Sequence, residues 1–252
     1  MRAVITGASS GIGLEFANIL HEKGYSLTLI ARRKERLEKL KEKFGCDTEI
    51  ITADLSKREE ALSVFSKAYT DDTEILINNA GFGLCGSFLE TDLSKELEMI
   101  DTNVSALHIL TKLFVCKFSE KNSGYILNVA SIAAFLPGPL LGTYYSTKAY
   151  VRVLTESIAA ELKENKSNVH ICTLCPGPVK TEFDSVANVK FSLKGADAHS
   201  VAEYAIRKMF RKKLYIFPGF YIRATVFFAR FLPVKLLSKI TYRMQKKKIG
   251  NR

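Results

Sequence analysis

The chain has 252 residues, 47% of them hydrophobic, which suffices for one sizeable core and excludes a disordered or fibrous chain. Its formal charge of +11 is uneven: residues 207–252 hold fourteen Lys/Arg and no Asp/Glu, so in the remainder 23 basic residues stand against all 26 acidic ones, which excludes a nucleic-acid-binding core. Five scattered cysteines (Cys46, Cys85, Cys116, Cys172, Cys175) and four histidines without metal-ligand spacing argue against a disulfide framework and a metal site, and for a reducing cytoplasmic setting.

A β-type run at 3–6 opens the chain, which predicts no secretory leader. It runs into Thr6-Gly7-Ala8-Ser9-Ser10-Gly11-Ile12-Gly13 and then an amphipathic helical pattern at 11–23. Gly7 suits a tight turn, Gly11 leaves room for a phosphate, and Gly13 lets helix pack on strand. The helix start adds unpaired N–H groups and about half a positive charge. Because the spacing is Gly-x3-Gly-x-Gly, the segment alone reads equally as a pyrophosphate cradle or an ordinary glycine-rich turn. Strands are predicted at 26–31, 48–52 and 75–78, alternating with helices at 34–44 and 58–69. Residues 81–86 match Gly-x-Gly-x-x-Gly letter for letter, and Asp101 lies twenty residues after Gly81. Yet polar residues 87–92 intervene before the helix at 92–117, and no strand pattern precedes Asp101. The segment therefore reads as a loop at the carboxyl end of strand 75–78, lining the same crevice.

Strand 124–129 leads into Ser131, and helix 144–163 carries Tyr144 and Lys148 four apart, hence on one face. In strand 169–175, Cys172 and Cys175 spell C-x-x-C, but residues three apart on a strand point to opposite faces, so they read as buried thiols. Helix 198–208 and strand 214–217 complete an α/β pattern. Such alternation predicts a Rossmann-type, doubly wound parallel sheet of about seven strands with helices on both faces, binding its ligand at the carboxyl ends of the strands. Residues 1–217 form this domain, and 218–252 a basic helical C-terminal extension of it.

Tyrosine with a pKa near 10 is a poor acid or base at pH 7, but a neighbouring cation lowers that value. A serine hydroxyl can hold a carbonyl or alkoxide for proton transfer. Taken singly, each of these residues is more often structural. Jointly, Thr6-Gly7-x3-Gly11-x-Gly13, Asp54-Leu55, Asn78-Asn79-Ala80-Gly81, Asn103, Ser131, Tyr144-x-x-x-Lys148 and Pro176-Gly177 followed by Thr181 resemble the short-chain dehydrogenase/reductase family, classical type, over residues 1–217. The resemblance implies that Tyr144 is the general acid/base and that Ser131 stabilises the reacting oxygen. It implies that Lys148 binds the nicotinamide ribose and lowers the tyrosine pKa, and that Asn103 holds a water leading from Lys148 to solvent. Gly7, Ser9, Ser10, Gly11, Ile12 and Gly13 would cradle the pyrophosphate. Asp54 and Leu55 would meet the adenine, Asn79, Ala80 and Gly81 the adenosine ribose, and Pro176, Gly177, Val179 and Thr181 the nicotinamide. Tyr145 lies three before Lys148, and the family's spacing selects Tyr144.

The second strand ends Leu29-Ile30-Ala31-Arg32-Arg33. Ala31 stands where an NAD site carries a carboxylate, and Arg32 beside it suits a 2′-phosphate, so NADP(H) is expected over NAD(H). The alternative is that Arg32 and Arg33 merely open a solvated helix, and Ser10, where many NADP-preferring relatives carry a basic residue, weighs slightly against NADP(H). The implied reaction interconverts a secondary alcohol and a ketone, the substrate being a small molecule. The apolar loop 132–143 and a flap at 183–191 suggest an apolar ketone or acyl chain. The competing reading is a catalytically vestigial dinucleotide sensor or membrane-surface protein. Helices 92–117 and 144–163 suggest a homodimer or homotetramer by the family's four-helix interface. In the tail, 220–232 is too short for a span and 234–248 is a basic amphipathic helix, with Leu236, Leu237, Ile240 and Met244 on one face. It closes over the site or a subunit partner, rests peripherally on an anionic membrane, or holds an anionic part of the substrate.

Overall fold

A computed structural model describes residues 1–183, 187 and 195–249, and shows strand and helix alternating. Strands β1 (Arg2–Thr6), β2 (Ser26–Ala31), β3 (Thr48–Thr52), β4 (Thr73–Asn78), β5 (Tyr125–Val129), β6 (His170–Leu174) and β7 (Tyr215–Ile216) form one parallel sheet in the order β3-β2-β1-β4-β5-β6-β7. The order reverses between β1 and β4, which opens a crevice at their carboxyl ends. The helices are α1 (Gly11–Glu22), α2 (Lys34–Phe44), α3 (Arg58–Ala68), α4 (Leu93–Ile100), α5 (Leu107–Glu120), α6 (Gly142–Glu164), α7 (Ala198–Phe210), α8 (Phe220–Ala229) and α9 (Val234–Ile249).

The strands are apolar on both sides because both sides are covered. Ala3, Ile5, Leu27, Leu29, Ile75 and Ile77 pack with Phe16 and Leu20 of α1 and Val201, Ala205 and Met209 of α7. Their neighbours Val4, Ile30, Leu76 and Ile126 face the other way, onto Val64 of α3, Phe114 and Phe118 of α5 and Leu162 of α6. Each fully buried Leu, Ile or Phe contributes about 1.5–3 kcal/mol. Cys172 and Cys175 enter different core clusters, and both are free thiols.

Three local departures from the expected elements bear on the site. Helix 92–117 is divided: α4 and α5 are joined by a π-helical segment, Asp101–Ala106, whose wider turn carries Asn103 fully buried. Helix α6 begins at Gly142, so Tyr144 sits in its first turn. A short 3₁₀ turn, Ile132–Phe135, occupies the start of the apolar loop. Beneath these, Asn78 Nδ2 donates to Asn128 Oδ1 (2.9 Å) and Thr111 Oγ1 (3.0 Å), and Asn128 Nδ2 donates to Thr155 Oγ1 (3.0 Å). This buried polar thread pins β4, β5, α5 and α6 in register. Of the expected flap 183–191, only Phe183 and Ala187 fall within the described residues. Among the described residues no helix is long and apolar enough to cross a membrane.

Candidate active site

The turn after β1 is tied to the end of β4 by bonds that each join a side chain to a main-chain group. Gly7 has φ +65°, which a residue with a Cβ rarely adopts. The Thr6 hydroxyl accepts from the N–H groups of Asn79 (2.9 Å) and Ala80 (3.0 Å). Asn79 Nδ2 returns bonds to the carbonyls of Thr6 (3.1 Å) and Gly7 (3.2 Å). Gly13 lies behind the turn, where a Cβ would meet the Gly7 carbonyl oxygen at 2.3 Å. The first turn of α1 has no side-chain cap and no acidic residue, so its N–H groups and dipole are available to an anion.

Both arginines after β2 reach this end, in different ways. Arg32 pairs with Glu98 at 3.2 Å. Arg33 lies on the glycine turn, donating to Ser10 Oγ (2.7 Å) and Ser9 Oγ (3.2 Å) and to Glu182 (2.6 Å). Arg36 also reaches Glu182, at 2.7 Å, and the two guanidiniums hold that carboxyl down to about 2. Ser10 thus receives its cation from the neighbouring strand end. The sequence points to Arg32 as the cation of this corner and names Arg33 only in the alternative of a solvated helix start. The structure instead sets Arg33 on Ser9 and Ser10, with Arg36 and Glu182, which the sequence reading does not name, beside it. At Asp54, burial raises the carboxyl pKa but hydrogen bonds from the Ser56 N–H (3.1 Å) and hydroxyl (2.8 Å) outweigh it, leaving the acid ionised.

The second cluster stands where β5, β6 and α6 converge. Ser131 follows β5, donates to the Pro176 carbonyl (3.4 Å) and accepts from the Ala133 N–H (3.1 Å). Lys148 Nζ donates to the Val129 carbonyl (2.8 Å) and lies 5.9 Å from the centroid of the Tyr144 ring. Asn103 is committed to the 81–86 loop: Oδ1 accepts from the Phe82 N–H (3.0 Å), and Nδ2 donates to the Phe82 carbonyl (2.9 Å) and Thr147 (3.2 Å). Tyr145 turns away, its ring against Gly138 and its hydroxyl bonded to Gln245 of α9.

Burial sets the electrostatics of this cluster. It raises the Tyr144 pKa, against a smaller opposing pull from the Ser131 hydroxyl, and lowers Lys148 to about 8. The direction at Tyr144 is upward, opposite to the lowering that the resemblance assigns to Lys148, and its largest cause is burial of the phenol. Tyr144 therefore stays protonated at neutral pH. Burial likewise raises Tyr145, to about 12.

One cavity of about 1130 Å³ joins both clusters. Its walls run from Arg33 and Asp54, past Gly7, Ser9 and Ala80, to Ser131, Tyr144 and Lys148, and on to Leu136, Leu141, Ile222 and Leu237. Ser10, Gly11, Ile12, Arg32, Leu55, Asn79, Gly81, Gly177, Val179 and Thr181 also line it, whereas Gly13, Asn103 and Pro176 stand behind the wall. The far end is built by the C-terminal helices. On α9 the buried stripe is Leu237, Thr241 and Gln245, while Leu236, Ile240 and Met244 of the expected apolar face are half exposed. The cradle and the uncapped helix fit the pyrophosphate of a nicotinamide dinucleotide, and the apolar end fits an organic substrate.

The family model for short chain dehydrogenases matches residues 1–190. An uncharacterized oxidoreductase of Staphylococcus saprophyticus is 40% identical over 184 residues, 71% of this chain and 74% of that protein. A very-long-chain 3-oxoacyl-CoA reductase of Anas platyrhynchos is 32% identical over 199 residues, 75% of this chain and 63% of that protein. Among solved structures, a short-chain dehydrogenase from Sphingobium yanoikuyae in complex with NADPH superposes with a TM-score of 0.82 at 26% identity, covering 100% of this chain and 96% of that one.

Proposed function

The chain belongs to the short-chain dehydrogenase family and is a nicotinamide-dinucleotide-dependent oxidoreductase of CH–OH and C=O groups, and from that premise we propose that it reduces the ketone of an apolar or acyl-chain substrate, preferring NADP(H). The observation that carries this reading is the continuity of the cavity from the Tyr144 hydroxyl into walls of Leu136, Leu141, Ile222 and Leu237. The nicotinamide supplies the hydride when the cofactor is bound. Ser131 orients the carbonyl by a hydrogen bond to its oxygen. As the C=O π bond breaks, that oxygen takes the Tyr144 proton, and a phenol raised by burial holds this proton until the oxyanion develops. Lys148, a cation below about pH 8, stabilises the phenolate left behind. Asn103 acts on position, clamping the loop that carries Gly81 and Phe82 against α6.

The preference for NADP(H) rests on Arg33, which with Ser9 and Ser10 forms a cationic corner for the 2′-phosphate, and on the lack of a carboxylate at Ala31. A charge-assisted bond of about 1.5–3 kcal/mol corresponds to roughly 10- to 150-fold discrimination. Helices α8 and α9 complete the substrate end of the same domain. Pairing of subunits is assigned to α4 and α6, where Leu93, Leu97 and Val153 are exposed.

The test follows NADPH oxidation by its near-ultraviolet absorbance against apolar ketones and 3-ketoacyl thioesters. Tyr144→Phe is expected to lower turnover at least about 100-fold while NADPH binding survives. Undiminished turnover in that variant would refute the assignment of the proton donor.

A further inference from the structure

We propose that α8 and the outer face of α9 dock on an anionic lipid bilayer, with the cavity mouth opening onto it, so that an apolar substrate enters from the lipid. The docking stands on the surface itself; the entry route rests on the proposed ketone reduction.

Helix α8 has apolar residues all round, yet only Val226 and Ala229 are buried. Phe220, Tyr221 and, just beyond the helix, Phe231 are 80%, 86% and 72% exposed, with Phe227 and Val234 beside them. Soluble proteins rarely leave so large a contiguous apolar patch in water, and aromatic rings are favoured at the depth of lipid headgroups. The charged residues among them have one sign. Arg223, Arg230, Lys235, Lys239 and Arg243 are all exposed, and no carboxylate occurs from Arg207 onward. An apolar surface whose own charged residues are all cations complements an anionic bilayer. A second copy of the chain, presenting the same patch about a two-fold axis, would bring like charges together at a cost.

The patch is continuous with the cavity. Tyr221, Thr225, Phe228, Ile240 and Met244 line the cavity and are also exposed, so they form its mouth. Opposite, Leu237, Thr241 and Gln245 are buried along its inner wall. A bilayer resting on α8 would cover that mouth with hydrocarbon, and a lipid-dissolved ketone would reach Tyr144 without crossing water.

The experiment is flotation of the full-length protein with phosphatidylcholine vesicles, with and without phosphatidylserine, at low and high salt. Binding is expected to the phosphatidylserine vesicles and to weaken with salt. Phe227→Ser/Phe231→Ser, at positions outside the cavity wall, should weaken it at least about tenfold. Lys235→Ala/Lys239→Ala should weaken it about fivefold per charge. With NADPH, Phe227→Ser/Phe231→Ser should keep wild-type turnover of a water-soluble ketone and lose turnover of a long-chain ketone dissolved in the vesicles. Wild-type protein that ignores phosphatidylserine vesicles overturns the docking. So does a wild-type dimer that the phenylalanine changes dissociate in the absence of lipid, because the patch is then a subunit interface. Full long-chain turnover by the double variant overturns the entry route. Vesicle binding needs no turnover and soluble-ketone turnover needs no vesicle, so failure here is distinct from failure of the ketone-reductase reading.

Discussion

At the dinucleotide end of the cavity, Thr6, Gly7, Asn79 and Ala80 are joined by four hydrogen bonds that involve main-chain groups, and Gly13 leaves no room for even a methyl group. At the substrate end, α8 and α9 line the cavity with Ile222, Leu237 and their neighbours, and α8 buries only two of its ten residues. Backbone geometry is demanding in residue type, so the first region is written as a short pattern of glycines and polar anchors. A wall of side chains requires only apolar bulk, so the second region can vary while the chemistry between them persists.

Lys148, at the junction of the two regions, offers the largest effect. Its pKa falls from 10.5 unfolded to about 8 folded, so between these values the unfolded chain binds more protons and stability rises with pH. Below about pH 8 the folded state bears the whole penalty, about 3 kcal/mol. Lys148→Met is therefore expected to be up to about 3 kcal/mol more stable at pH 7, less the bond lost at Val129. The margin should close as pH rises from about 8 toward 10.5, while turnover falls. Urea unfolding of both proteins at neutral and alkaline pH measures it, and a constant margin would mean that Lys148 is not the titrating group.

Arg33→Ala tests the dinucleotide end alone. NADPH binding should weaken roughly 10- to 150-fold with NADH little changed, whereas Arg32→Ala, which leaves the Arg33 bonds to Ser9 and Ser10 in place, should do less. Fluorescence titration with both cofactors checks this, and equal losses for NADPH and NADH would place the 2′-phosphate elsewhere. Gln245→Met is the mildest change and belongs to the substrate end. It removes a buried carboxamide oxygen that has no partner among the described residues but also the donor to Tyr145. Stability should change by only about 1 kcal/mol, with KM for an apolar ketone shifted and kcat and NADPH binding retained. A loss of NADPH affinity would show that the two ends are not independent.

The N-terminal turn, Ser131 and the Tyr144–Lys148 pair are readable in the sequence because each depends on near neighbours: a strand end, a helix start, a four-residue spacing. Asn103 is also readable as a residue, but its π-helical setting is not, since a wider turn over six residues hardly alters an apolar period. Arg32 and Arg33 are adjacent, and no local rule says which guanidinium lies on the glycine turn. Glu182 meets Arg33 from 149 residues away, and Gln245 meets Tyr145 from 100 residues away. The fall of Lys148 and the rise of Tyr144 are likewise collective, because desolvation sums over every residue packed around them.

By itself the sequence determined the strand and helix alternation, the parallel sheet that follows from it and which side chains are proposed to react, because hydrophobic period and short spacings act over a few residues. Only the tertiary structure decided which arginine faces the glycine turn, which protonation state burial favours at Tyr144, and that two helices from the far end of the chain wall the substrate cavity. Those outcomes depend on distances between residues remote in sequence and on the exclusion of water from the space they share.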